Sequence, residues 1–131
     1  MKKYLVILLL LLVGCEITQI NSPVLDTMRI TTDKELYHSG EIIHITANIN
    51  SPMELNNITI RFYGIHASRY RLDQTKIVNL YKGNNNITLD YNAPRCYGCA
   101  GINPGTYEIC TDVIYNGKSL ANATINVEIR Q

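Results

Sequence analysis

Along most of this chain apolar and polar residues alternate one by one, the period of a half-buried β-strand. The clearest run is Glu41 to Asn50. Ile43, Ile45, Ala47 and Ile49 share one face, and His44, Thr46, Asn48 and Asn50 share the other. Met28 to Thr32 reads as a strand before it. Ile58 to Tyr63 puts Ile58, Ile60 and Phe62 inward, and Ile87 to Tyr91 does the same with Ile87, Leu89 and Tyr91. Thr106 to Tyr115 aligns Tyr107, Ile109, Thr111, Val113 and Tyr115, and Leu120 to Ile129 returns with Ala123, Ile125, Val127 and Ile129. Asn116-Gly117 between these two is the preferred two-residue hairpin turn, since both positions tolerate positive φ. Tyr70 with Leu72 and Ile77 to Tyr81 give weaker strand signals, after an interruption from Gly64 to Arg69.

Turn chemistry separates these runs. Asp33 to Glu41 is a turn region holding Gly40, Asn50-Ser51-Pro52 stops the strongest strand, and Lys82 to Asn86 is a turn. Asn92 to Gly105 (NAPRCYGCAGINPG) has two prolines, three glycines and two cysteines and cannot form a regular element. No segment has the period of a helix. About seven short strands, each with one apolar face, bury those faces by stacking two sheets. The expected fold is all-β, a single immunoglobulin-like antiparallel β-sandwich.

The N-terminus breaks the pattern. Lys2 and Lys3 precede an unbroken apolar run from Tyr4 to Val13. About 10 apolar residues is half of the roughly 20 that cross a bilayer, so this is the pattern of a secretory signal rather than a span. Leu12-Val13-Gly14-Cys15 has the form of a lipobox, after which the chain is cut and the new N-terminal cysteine is lipidated. The expected division is a signal peptide over 1–14, a lipidated N-terminus and tether over 15–26, and the sandwich over 27–131. Cys15 is the lipidation site. The expected location is the cell membrane, lipid-anchored, facing outside the cytoplasm, because two or three acyl chains anchor firmly.

Composition narrows the partners. The 131 residues hold 12 Lys+Arg and 11 Asp+Glu. Without Lys2 and Lys3 the balance is one net negative charge. No basic block remains, so nucleic acid is excluded as a partner, and there is no polybasic patch for anionic lipid. Trp is absent, and Tyr is the dominant aromatic residue, with nine against one Phe.

Thr32-Asp33-Lys34, Tyr37, Gly40-Glu41, Ile43 and Ile45 resemble the opening of immunoglobulin-like modules in prokaryotic surface proteins. Pro104-Gly105-Thr106-Tyr107-Glu108-Ile109 resembles their penultimate strand, with Tyr107 placed like a tyrosine corner. The resemblance covers roughly residues 27–130 and implies architecture rather than activity. The inter-sheet disulfide and core tryptophan of antibody domains are missing. A weaker likeness is to immunoglobulin-like proteinase inhibitors of prokaryotes, which implies inhibition as one function to test, although no inhibitory motif carries over.

Cys96, Cys99 and Cys110 leave three readings open. Cys96-Tyr97-Gly98-Cys99 has the spacing of a thiol–disulfide redox centre, but no helix follows to lower a thiol pKa. With Cys110 and one of His38, His44 or His66 the pair would make a four-ligand zinc set. The third reading is a structural disulfide, Cys96–Cys99 foremost, with Cys110 free or an alternative partner. Cys110 is expected to face away from the core. Asn57, Asn86 and Asn122 open N-x-[ST] glycosylation patterns, Asn86 at a turn. There is no G-x-S-x-G, phosphate-cradling loop or H-E-x-x-H, so no catalytic residue, metal or cofactor is assigned. The expected function is a binding or structural module of the cell envelope that is not an enzyme. Its partner would be a protein or cell-surface component, met through the Asn92–Gly105 loop. Cysteine-based redox or metal handling is the alternative.

Overall fold

The computed structural model describes residues 23–97 and 101–131. The expected signal, Cys15 and Cys99 lie outside them. The described residues form eight strands and no helix, arranged as two stacked sheets. The strands are β1 (Thr27–Thr32), β2 (Leu36–His38), β3 (Ile42–Ser51), β4 (Leu55–Ala67), β5 (Arg69–Leu80), β6 (Gly83–Asn92), β7 (Gly105–Tyr115) and β8 (Lys118–Arg130). One sheet has the order β1-β3-β6 and the other β2-β8-β7-β4-β5. The expected all-β, immunoglobulin-like sandwich is the fold observed.

The alternating runs build the core as their period requires. Ile43, Ile45, Ala47 and Ile49 on β3 face Ile58, Ile60 and Phe62 on β4, Ile109 and Val113 on β7, and Val127 and Ile129 on β8, all buried. Each such aliphatic or aromatic side chain contributes about 1.5–3 kcal/mol on burial. Tyr91, Tyr107, Tyr115, Ala123 and Ile125 pack around the margin. Asn116 and Gly117 have φ of 48° and 76°, the positive pair that the hairpin turn demands.

Three elements differ from the sequence expectation. Inside the Asp33–Glu41 turn region β2 forms, pairing in parallel with β8 over Leu36↔Glu128 to His38↔Arg130. Its anchor is the fully buried Tyr37, whose hydroxyl donates to the Asp33 carboxylate at 2.5 Å. Burial, and then that carboxylate, push the Tyr37 hydroxyl up to about 12. The same hydrogen bond is the main cause holding the Asp33 carboxyl below its ordinary range. The second difference is β5, one strand of 12 residues rather than two fragments. It lies at the sheet edge and buries only Leu72 and Leu80. Its backbone pairing with β4 holds it, not its own apolar pattern. Third, β6 begins at Gly83, so Asn86 stands within a strand, opposite Asn48, and not at a turn. The short turn works because the buried Asn85 side chain accepts from Tyr81 N and donates to the carbonyls of Tyr81, Gly83 and Ile49, at 2.9–3.3 Å.

On one flank the edge strands β5 and β6 belong to different sheets, and side chains close the gap. The Tyr91 hydroxyl donates to the Arg71 carbonyl at 2.7 Å, and the Lys76 ammonium donates to the Thr88 carbonyl.

The strand directions give the sandwich two distinct ends. The chain enters β1 at one end, where Asp26 N donates to Asn50 O at 3.0 Å. The β3–β4, β5–β6 and β7–β8 turns lie at this entry end. The opposite, loop end gathers the β2 region, the β4–β5 hairpin tip, the 93–104 loop and the C-terminus. Strands of 10–13 residues separate the two ends by roughly 30–40 Å.

Candidate functional site

The loop end is built on a break in β4. Its pairing with β7 runs from Thr59↔Ile114 to Gly64↔Ile109 and stops, while its pairing with β5 continues to Ala67↔Arg69. The hairpin tip therefore leaves β7 as a two-stranded ribbon. Gly64 makes the departure point possible. Its φ is +148°, and a Cβ there would sit 2.2 Å from the Glu108 carbonyl oxygen. Ile65, fully buried, follows at φ 50°. A β-branched residue in the left-handed region is a genuine outlier and costs about 1–3 kcal/mol, a strain that clusters at functional sites.

The gap so opened is a pocket of about 310 Å³. Gly64 and His66 of β4, Tyr70 of β5, and Thr106, Tyr107, Glu108 and Cys110 of β7 line it. The Tyr70 ring meets Tyr63 and His66 edge-on, with centroids 5.3 and 5.1 Å apart. Arg61 lies over the Tyr63 ring at 4.5 Å and is fixed by two hydrogen bonds to Asp73, of 2.9 and 3.0 Å. The exposed tyrosine thus stands on an ordered row of side chains across the sheet's outer face.

Cys110 is on that outer face, as its parity predicts, yet it is buried, and its thiol donates to Glu108 Oε1 at 3.2 Å. Burial first, and then Glu108, push its thiol up to about 11. It is protonated at neutral pH and a poor nucleophile. Cys96 and Cys110 are not joined to each other, and the expected Cys96–Cys99 pairing lies outside the described residues. Cys96 is half-buried, and its N–H donates to Ser39 Oγ at 2.9 Å. Among the described residues no three His, Cys, Asp or Glu side chains converge as metal ligands. The three histidines are engaged apart. His38 Nδ1 contacts Gln131 O at 3.0 Å, His44 Nδ1 pairs with Asp90 at 2.6 Å, and His66 packs on Tyr70.

The described flanks of the 93–104 loop, 93–97 and 101–104, are tied down. Ala93 N donates to Glu41 O at 2.8 Å and Gly40 N to Ala93 O at 3.0 Å, while Ile102 N donates to Arg95 O at 2.8 Å. Ala93 and Ile102 are buried. Gly101 is required where it stands, since a Cβ would lie 2.6 Å from the Tyr97 carbonyl oxygen. The Tyr107 hydroxyl donates back to the Asn103 carbonyl, the geometry of a tyrosine corner. The loop therefore runs directly into the wall of the pocket. Sequence reasoning placed the contact surface on the loop and did not bring His66, Tyr70 and Glu108 together beside it. Of the glycosylation asparagines, Asn57 sits at positive φ (57°) in the β4 irregularity, while Asn86 and Asn122 are exposed within paired strands.

No protein-family model matches the sequence, and no curated protein does. Solved structures match the fold. The CARDB domain of a Pyrococcus furiosus protein, solved in complex with di-metal ions, superposes with a TM-score of 0.60 at 16% identity, covering 83% of this chain and 90% of that one. A Paenibacillus cycloisomaltooligosaccharide glucanotransferase gives 0.63 at 16% identity over 82% of this chain, which spans only 14% of the enzyme. Spo0M, a sporulation control protein of Bacillus subtilis, gives 0.54 at 14% identity, covering 80% of this chain and 49% of that protein. The likeness is one of fold.

Proposed function

We propose that this chain is a lipid-anchored, extracytoplasmic module that works by contact, binding a partner protein with its loop end. Cys15 carries the lipid. The observation that carries the reading is the strained Gly64–Ile65 break, which holds a pocket open beside the tethered ends of the 93–104 loop, at the end opposite the chain's entry. The pocket has room for one partner side chain. Its tyrosine rings and the Glu108 carboxylate favour a cationic one, since cations are attracted to aromatic faces. No nucleic acid and no cofactor enters this reading. Redox or metal handling is the alternative and would run through Cys96 and Cys99.

Two measurements test it. The intact mass of protein extracted from its own membrane should show a lipid increment on a chain beginning at Cys15, and an unmodified N-terminus refutes the anchor. Crosslinking in that membrane should capture a partner that Glu108→Gln and Tyr70→Ser each release. Ile77→Ser, toward the entry end on the same sheet face, should leave capture intact. If both pocket variants retain the partner, the contact lies elsewhere.

A further inference from the structure

The entry end carries exposed apolar side chains that the loop-end contact does not use. Val24, Met53 and Tyr81 are 75%, 48% and 64% exposed. Strand register places them together: Thr27 pairs with Asn50, and Ser51 with Gly83, so the lead into β1, the β3–β4 turn and the β5–β6 turn are neighbours. Tyr81 is held outward by the Asn85 hydrogen bonds to its own N–H and carbonyl. Ile77, 74% exposed, lies three residues further back on β5 than Leu80. The charges at this end balance: Lys82 and Lys118 against Asp26 and Glu54, all exposed. An occupant is therefore recognised by apolar contact and not by net charge.

The chain outside the structure says what that occupant is. Seven residues, 16–22, separate Cys15 from Pro23, so Cys15 lies at most roughly 29 Å from Pro23. This is less than or about the height of the sandwich, so the end that emits them faces whatever holds Cys15. We infer that the entry end is seated on the bilayer, with Tyr81 and Met53 at headgroup depth, where amphipathic aromatic residues concentrate. This rests on the lipid anchor proposed above. Seating the entry end points the Tyr70 pocket away from the membrane.

The sequence contains no Trp, so Tyr81→Trp, Met53→Trp and Ile42→Trp each create a single emitter, the last at the loop end. The full lipidated chain is reconstituted in phosphatidylcholine vesicles, with and without brominated acyl chains. Tyr81→Trp and Met53→Trp should shift to the blue and lose most of their emission to brominated lipid, while Ile42→Trp keeps its emission. Retention on vesicles with equal, unquenched emission from all three overturns the seating and leaves the anchor standing. Emission shielded from an aqueous quencher but untouched by brominated lipid also overturns it, assigning the patch to a second copy or another protein. Release of the wild-type chain from the vesicles refutes the anchor, and the seating with it.

Discussion

The two ends of the sandwich are built by opposite means. At the loop end the backbone itself is irregular: Gly64 and Ile65 carry positive φ, β2 joins in parallel, and the described flanks of the 93–104 loop are pinned by main-chain hydrogen bonds. Titratable groups gather there, with Glu108, Cys110, His66 and Tyr70 around one pocket. At the entry end the connections are short, the irregularities are the Leu55/Ile58 and Val113/Ile114 register shifts with positive φ at Asn57 and Asn116, and apolar tips stand exposed among simple charges and amides. Their buried polar side chains, Asn85 and Ser51, satisfy nearby backbone groups. The β-branched outlier Ile65 and the titratable cluster thus share one end, and short turns with apolar tips share the other. This is the division expected where one end makes specific contacts and the other rests on a surface.

Glycine substitutions break the comparison most directly. Gly64→Ala drives a Cβ into the Glu108 carbonyl at positive φ and should cost at least about 3 kcal/mol of unfolding free energy in a denaturant titration. Asn85→Ala removes four hydrogen bonds from the entry end and should cost about 2 kcal/mol by the same measurement, since buried backbone groups lose their partners. Gly117→Ala meets nothing within 4 Å at φ +76° and should cost only about 1 kcal/mol, the steric penalty of the left-handed region. If Gly117→Ala proves as damaging as Gly64→Ala, the strain is not concentrated at the loop end.

The smallest effect is one of pH. His44 pairs across β3 and β6 with Asp90, and that hydrogen bond raises its pKa above the ordinary 6.5. The imidazolium form is favoured in the folded state. Its contribution is complete below pH 6.5 and is lost as pH rises through the raised value. Stability measured from pH 5 to 9 should therefore fall slightly more in wild type than in His44→Gln, and identical profiles would remove this pair from the account.

Much of the fold was legible in the sequence because alternation reports which face of a strand is buried. Ile43, Ile45, Ala47 and Ile49, and Ile58, Ile60 and Phe62, behaved as their spacing requires, and so did Asn116-Gly117. Tyr107 was legible as a corner from the Pro-Gly entry before it. What alternation does not report is a strand's neighbours. β2 contributes one core residue, Tyr37, too few to show a period, and β5 is an edge whose outward face is polar on both sides of Leu72. The turn reading of Lys82–Asn86 failed because Asn85 replaces the missing turn residues with its own amide. The candidate site was hardest to read. It depends on β4 parting from β7 at Gly64, where a glycine looks like an interruption and is in fact the pivot that brings His66 and Tyr70 opposite Glu108.

The bonds from Tyr91 and Lys76 across the β5–β6 flank have a consequence for how many copies can live side by side. An open edge recruits other strands, and natural sheets blunt it with charge, lysine above all. Here the long edge β5 carries Arg69, Arg71, Asp73 and Lys76, and two of the carbonyls along this flank are already taken. A flank guarded in this way resists the addition of a neighbour's strand when copies are crowded together.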